Sequence, residues 1–249
     1  MAEDFFSPPK PRIFGHRGSS GNFSENTMAA FRDAAKHTHY LETDLWLSSD
    51  GQIVLHHDPS LLRTYGVDKN ITALSYKEIL NISGGSVPLL YDVFNELSGC
   101  FFNIEIKQDN EELVKKATEL IQFFEHEEKT LLTSNIDSCI KKIRKHSKGI
   151  HTGMSIQEGI EFFTWFKSGC KGRYTPPGRA LQIPLTFDVP NSSGSSAQID
   201  LVNESFISVA HSVGLEVHYW TVNTTETAQR LFDLHADGIF TDLPHLFSK

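Results

Sequence analysis

Cysteine is scarce in this chain: three in 249 residues, Cys100, Cys139 and Cys170, with no C-x-x-C pair. An odd, scattered set of thiols builds neither a disulfide framework nor a thiolate zinc site, and it reads as reduced cysteine in an intracellular, cytoplasmic protein. Long apolar runs are missing too. No stretch approaches the roughly 18 residues that cross a bilayer as a helix, so no membrane span is expected. The opening M-A-E-D-F-F-S-P-P-K-P-R has no basic segment leading into an apolar one, which argues against a secretory signal. Positive charge is outnumbered, with 23 Lys and Arg against 31 Asp and Glu and a net charge of −8. A nucleic-acid backbone demands a basic face, so nucleic acid is not the expected partner. A phosphate ligand would be held by local charge against an unfavourable overall field. The glycine-rich dinucleotide fingerprint is also absent, because G-H-R-G-S-S-G after the first apolar run is not G-x-G-x-x-G.

What is present is alternation. The 39% hydrophobic content suffices for a sizeable core. Strand-like runs at 13–15, 40–46, 101–107, 130–134, 150–154, 180–183, 215–220 and 238–241 are nearly all followed by helical periodicity. Eight such units in one chain predict a (β/α)₈ barrel in the α/β class, one domain over 1–249, rather than a doubly wound open sheet. A polar insert of about 59–87 follows the second strand, with an extended segment at 52–56 before it. Residues 1–10 read as a loosely held arm, and 190–196 as a Ser/Gly loop with no assignable mechanism.

Several charged residues fall where strands end, the position at which barrel sites assemble. Residues two apart on a strand share a face, so Glu42 and Asp44 point one way and Leu41, Thr43 and Leu45 the other. Side by side on an inner face, two carboxylates repel and are costly to bury; a divalent cation removes both problems, and oxygen ligands suit Mg²⁺ or Ca²⁺. Glu105, between Ile104 and Ile106, supplies a third carboxylate. The plainer alternative is an edge strand with solvated acids. Lys107 shares the face of Glu105 and reads either as its ion-pair partner or as charge for a phosphate oxygen. Arg17 is a fork suited to phosphate or to a neighbouring acid. His16 and His57 each close a strand-like run beside a charged neighbour and titrate near neutrality, whereas His56 is one residue out of phase. Trp220 reads as core or as a wall of the pocket. Glu25-Asn26-Thr27 reads as helix N-terminal chemistry capped by Ser24, with Asn26 able to steady the acidic strand.

These motifs together resemble the glycerophosphodiester phosphodiesterase family. His16-Arg17-Gly18, Glu25-Asn26-Thr27, Glu42-x-Asp44 and Asp50-Gly51 through His57-Asp58 occur in the family's order. So do N-I-E-I-K at 103–107, Y-W-T-V-N at 219–223 and D-G-I-F-T-D-x-P at 237–244. Ser24 replaces a common proline, and His37-Thr38-His39-Tyr40 replaces the usual approach to the acidic strand. The resemblance implies a barrel, with Glu42, Asp44 and Glu105 as ligands of one divalent cation and His16 and His57 as the general acid–base pair. It also implies hydrolysis of a small-molecule glycerophosphodiester to sn-glycerol 3-phosphate and an alcohol. The leaving alcohol, the choice of metal and the oligomeric state stay open.

Two rivals remain at this stage. A lysophospholipase D-type activity would need an apolar entrance, which the cluster Phe162, Phe163, Trp165 and Phe166 could supply. A silent phosphate-binding module is disfavoured because no expected catalytic position is lost. The polar insert and the negative charge favour small, water-soluble diesters over lipid substrates.

Overall fold

The strand alternation closes into a barrel. The computed structural model describes residues 4–190 and 196–248. The first part of the chain runs β1 (Arg12–Gly15), α1 (Met28–Ala34), β2 (Tyr40–Leu47), β3 (Ile53–Leu55), α2 (Leu62–Tyr65), α3 (Tyr76–Ser83) and α4 (Leu90–Glu96). Regular alternation follows, with β4 (Phe101–Ile106), α5 (Glu111–Phe123), β5 (Thr130–Thr133), α6 (Asp137–His146), β6 (His151–Thr152) and α7 (Ile156–Lys167). Then come β7 (Ala180–Pro184), β8 (Thr186–Pro190), β9 (Ser196–Asp200), α8 (Glu204–Ser212), β10 (Glu216–Trp220), α9 (Thr225–Asp233) and β11 (Gly238–Thr241). The parallel strands pair in the order β6-β5-β4-β2-β1-β11-β10-β7. A single parallel bridge, Gly153 to Ala180, joins the two ends, so the (β/α)₈ barrel is nearly closed.

Alternation along β2 and β4 divides the residues between two environments. In register, Glu42 lies beside Asn103 and Asp44 beside Glu105, on the inward face. Leu41, Leu45, Ile104 and Ile106 point outward and are buried with Leu113, Val114, Ala117 and Ile121 of α5 and Val93 and Phe94 of α4. This is the hydrophobic layer that fixes the strand register, since a one-residue slip would bury the acids against the helices. A side-chain cap from Asn110 starts α5, which covers it, and a reciprocal Ser155–Glu158 capping box starts α7 further round the barrel.

From residue 4 onward the N-terminal arm is not loose. Phe5 is fully buried in the barrel floor with Phe14, Tyr40, Phe101, Leu131 and Phe240. Its carbonyl accepts the Tyr40 hydroxyl at 2.7 Å, and the buried Arg12 guanidinium donates to the Phe6 carbonyl at 2.6 Å. The arm therefore plugs the end of the barrel opposite the strand C-termini.

The insert folds as a lobe with its own core of Val54, Leu61, Ile71, Leu74, Ile79 and Val87. It carries more helix than the sequence suggests, since α2 precedes α3. A second departure follows β7, where an antiparallel hairpin of β8 and β9 pairs Phe187 with Ile199. Residues 191–195, most of the expected Ser/Gly loop, lie outside the described residues.

Candidate active site

All eight residues singled out in the sequence line one cavity of about 120 Å³ at the C-terminal mouth of the barrel: His16, Arg17, Glu42, Asp44, His57, Glu105, Lys107 and Trp220. Asn103, Thr133, Asn135, Met154, Gln182 and Phe240 complete the lining.

The loop after β1 places the first of them. Arg17 takes a left-handed backbone (φ 55°), followed by Gly18 at φ 83°. A Cβ on Gly18 would sit 2.6 Å from the Ala30 carbonyl carbon, so only glycine lets the loop turn this close to α1. The turn aims the Arg17 amide at Glu42 Oε2, 2.9 Å away. It also leaves His16 Nδ1 at 2.7 Å from Asp242 Oδ1. Asp242 is held in turn by Ser20 Oγ at 2.8 Å and Asn223 Nδ2 at 2.7 Å. Burial opposes protonation of His16, but Asp242 and then Glu42 outweigh it and raise the imidazole's pKa. Asp242 itself is pushed down to about 2: burial opposes ionisation, and bonds from His16, Asn223 and Ser20 overcome it.

His57 is oriented by a different network. Its Nδ1 lies 2.6 Å from Asp58 Oδ1, and Arg63 of α2 donates to the other oxygen of Asp58. Arg63 also clasps Glu25 with bonds of 2.8 and 2.6 Å. Asp58 is held near 2 because Arg63 and His57 outweigh burial. The insert thus buttresses one histidine, and the last barrel strand's loop the other.

Between them sit the carboxylates. Burial, then repulsion from Asp44, raises the pKa of Glu42. Burial acts against Asp44 too, but Lys107 and Arg17 prevail and keep it ionised. Lys107 Nζ stands 3.1 Å from Asp44 Oδ1 and 2.7 Å from Glu105 Oε2. Asn26 donates to Asp44 Oδ2 at 3.0 Å. Two buried acids with one raised pKa and three oxygen donors on adjoining strands fit a hard divalent cation in chemical type. The three carboxylates do not each bring an oxygen within 4.8 Å of the others; among the described residues only Asp4, Glu128 and His151, by the barrel floor, offer three ligand atoms that close. Lys107 bridges Asp44 and Glu105.

Two local readings change. Thr27, not Ser24, caps α1, accepting from the Ala30 amide at 3.2 Å, and Glu25 stands ahead of the helix, bound to Arg17 and Arg63. His56 is not a mere outer residue: it is buried, with Nδ1 2.8 Å from the Asp58 carbonyl and Nε2 2.8 Å from Thr64 Oγ1. It pins the loop that carries His57.

Sequence reasoning did not single out Asp242, Asn103, Asn135 or Gln182. Asp242 lay in a quoted motif, and its signal was an acid directly after the last strand. It also missed a second cavity. An apolar chamber of about 400 Å³ shares Asn135, Met154, Gln182 and Trp220 with the polar one. Phe163 lines it; Phe162 and Phe166 instead pack on Phe206, and Trp165 stacks on Tyr174. No helix among the described residues is long and apolar enough to cross a membrane.

Known proteins share this fold. A model of the glycerophosphoryl diester phosphodiesterase family matches residues 16–156 and 174–246. Human lysophospholipase D GDPD1 is 30% identical, over 92% of this chain and 82% of its own length. The crystal structure of a glycerophosphodiester phosphodiesterase from Thermotoga maritima superposes with a TM-score of 0.74 at 24% identity, covering 96% of this chain and 98% of that one. An Oleispira antarctica phosphodiesterase, solved in complex with its product sn-glycerol-3-phosphate, gives 0.72 at 22% identity over 95% and 94%. The family model's span across both halves of the barrel, cavity included, makes this chain a member of the glycerophosphoryl diester phosphodiesterase family.

Proposed function

We propose that the protein hydrolyses a glycerophosphodiester to sn-glycerol 3-phosphate and an alcohol, assisted by one divalent cation, Mg²⁺ or Ca²⁺. The observation that carries the reading is the gathering of two carboxylate-oriented histidines, three acids, Arg17 and Lys107 around one cavity. A cation held by Glu42, Asp44 and Glu105 would neutralise phosphate charge there. The chain's own residues do the rest. Arg17 Nε lies 3.4 Å from Asp44 Oδ2 without making a hydrogen bond to it, so the guanidinium keeps donor capacity that a phosphate oxygen can accept. Lys107 adds a second positive charge on the same ligand. His16 and His57 have Nδ1 committed to Asp242 and Asp58, which leaves each Nε2 to exchange protons with the diester oxygens or water. General acid–base groups of this kind contribute roughly two to four orders of magnitude each.

A second reading, lysophospholipase D-type cleavage of a lysophospholipid by the same groups, is favoured by the apolar chamber opening beside the site and by the human relative's name. The chamber weighs against the sequence-based preference for small diesters. Three unpaired cysteines agree with a cytoplasmic setting. Product analysis tests the shared chemistry: glycerophosphocholine should yield sn-glycerol 3-phosphate and choline. Release of phosphocholine and glycerol instead would refute the assigned bond.

A further inference from the structure

We propose that the apolar chamber is a subsite for one acyl or alkyl chain of the phosphodiester, and that the β8–β9 hairpin forms its selecting wall through Phe187 and Ile199. The proposal rests on the phosphodiesterase reading and names the substrate class that fits it.

The two cavities differ in chemistry and share a doorway. The polar cavity of about 120 Å³ holds the charged groups. The adjoining chamber of about 400 Å³ has walls that are almost wholly apolar, with Asn135 and Gln182 confined to the shared residues. A ligand that spans the doorway at Trp220 keeps its phosphate on one side and an apolar tail on the other. A glycerol or choline group alone would gain nothing from the larger space.

Leu181 and Phe206 in the chamber's wall belong to the core, but the rest of the wall is not needed to hold the barrel together. Helix α7 already buries Phe162 against Phe206 and Tyr174. Its other apolar stripe, Ile156, Gly159, Ile160 and Phe163, follows helical spacing and lines the chamber. Ile156 and Ile160 stay 52% and 45% exposed. Gly159 keeps this stripe open, since a Cβ there would approach Leu181 Cδ1 to 3.3 Å. Opposite, the cross-strand pair Phe187 and Ile199 lines the same space from the hairpin, with Phe187 41% exposed. Two separate elements therefore leave large apolar side chains half wet around one concave space. A bound chain would dry both. The pocket around Leu89, Tyr91 and Phe123 shares no residue with the polar site, so it cannot take a chain of the same ligand.

Calorimetry with hexylphosphocholine and dodecylphosphocholine, each below its micelle-forming concentration, reads the subsite without turnover. Burial of a methylene favours binding by about fourfold, so wild type should bind the dodecyl homologue at least tenfold more tightly. The Phe187→Ser/Ile199→Ser double variant, checked for an unchanged melting profile, should lose most of that preference. The single variant Ile160→Ser, on the opposite wall, should lose part of it. Equal affinity for the two homologues in wild type would overturn the proposal, as would an intact preference in all the variants. Turnover of glycerophosphocholine and lysophosphatidylcholine, run in parallel, separates failure of the subsite from failure of the activity. Chain-length-dependent binding without turnover leaves the subsite standing and sinks the activity, whereas turnover with no chain-length dependence does the reverse.

Discussion

Asp242 Oδ1 lies 2.7 Å from His16 Nδ1, and among the described residues no Lys or Arg pairs with Asp242 in the way that Arg63 pairs with Asp58. The two histidines are therefore held by unequal carboxylates. Asp242 favours the imidazolium form of His16, so its removal must lower that histidine's pKa. The pH–rate limb belonging to His16 should move to lower pH in Asp242→Asn, with a fall in kcat of about tenfold or more from lost orientation. An unmoved limb would show that Asp242 acts only as scaffold.

His16→Ala and His57→Ala should each lose roughly two to four orders of magnitude in kcat. His56→Ala should behave differently. Its ring is buried and bonded at both nitrogens, so truncation should cost about 1–3 kcal/mol of stability. Denaturant titration against steady-state rates separates these outcomes. A fully stable but inactive His56→Ala would mean that the roles of the two neighbours are reversed.

A cation held by Glu42 would bind in a pH-dependent way. A carboxylate must lose its proton to coordinate, and burial with Asp44 nearby raises the pKa of Glu42. Affinity for Mg²⁺ or Ca²⁺ should therefore rise with pH through the Glu42 titration, with proton release on binding. The sign for stability is opposite to that of an ordinary ion-paired acid. A raised carboxylate pKa means that folding is penalised once pH exceeds the unfolded value, because ionisation is harder in the folded state. Metal-free Glu42→Gln should thus melt above wild type at pH 8, yet gain nothing from added metal. Equal metal responses in the two proteins would contradict the ligand assignment.

Phe5 is a structural residue of the barrel floor. Phe5→Ala should cost about 3–5 kcal/mol, the usual range for a fully buried phenylalanine. Chemical denaturation reads this directly, and a change below 1 kcal/mol would restore the picture of a loose arm.

Local pattern made much of this molecule legible. Glu42, Asp44 and Glu105 could be read as one face because strand alternation is strict and their neighbours Leu41, Leu45, Ile104 and Ile106 are apolar. The strands could be read because helical periodicity intervenes between them. What escaped depended on distant partners or weak signals. Nothing near Phe5 announces that the barrel floor needs a plug, since Tyr40 and Phe101 lie far along the chain. Thr27 wins the cap because Glu25 is drawn off by Arg63, an ion pair across the insert. The hairpin left a faint trace, an alternating Phe187 and Val189 before a Ser/Gly stretch with Ala197 and Ile199 beyond it. Pro190 and the polar turn obscured it, and with it the chamber wall.

The most direct test of the central claim is the rate of glycerophosphocholine and lysophosphatidylcholine hydrolysis by chelator-treated protein, before and after Mg²⁺ or Ca²⁺ is restored. The account predicts that activity disappears on chelation, returns with one of the two ions, and fails to return in Glu42→Ala or Asp44→Ala. Unchanged turnover in chelator, or full metal rescue of those variants, would contradict it.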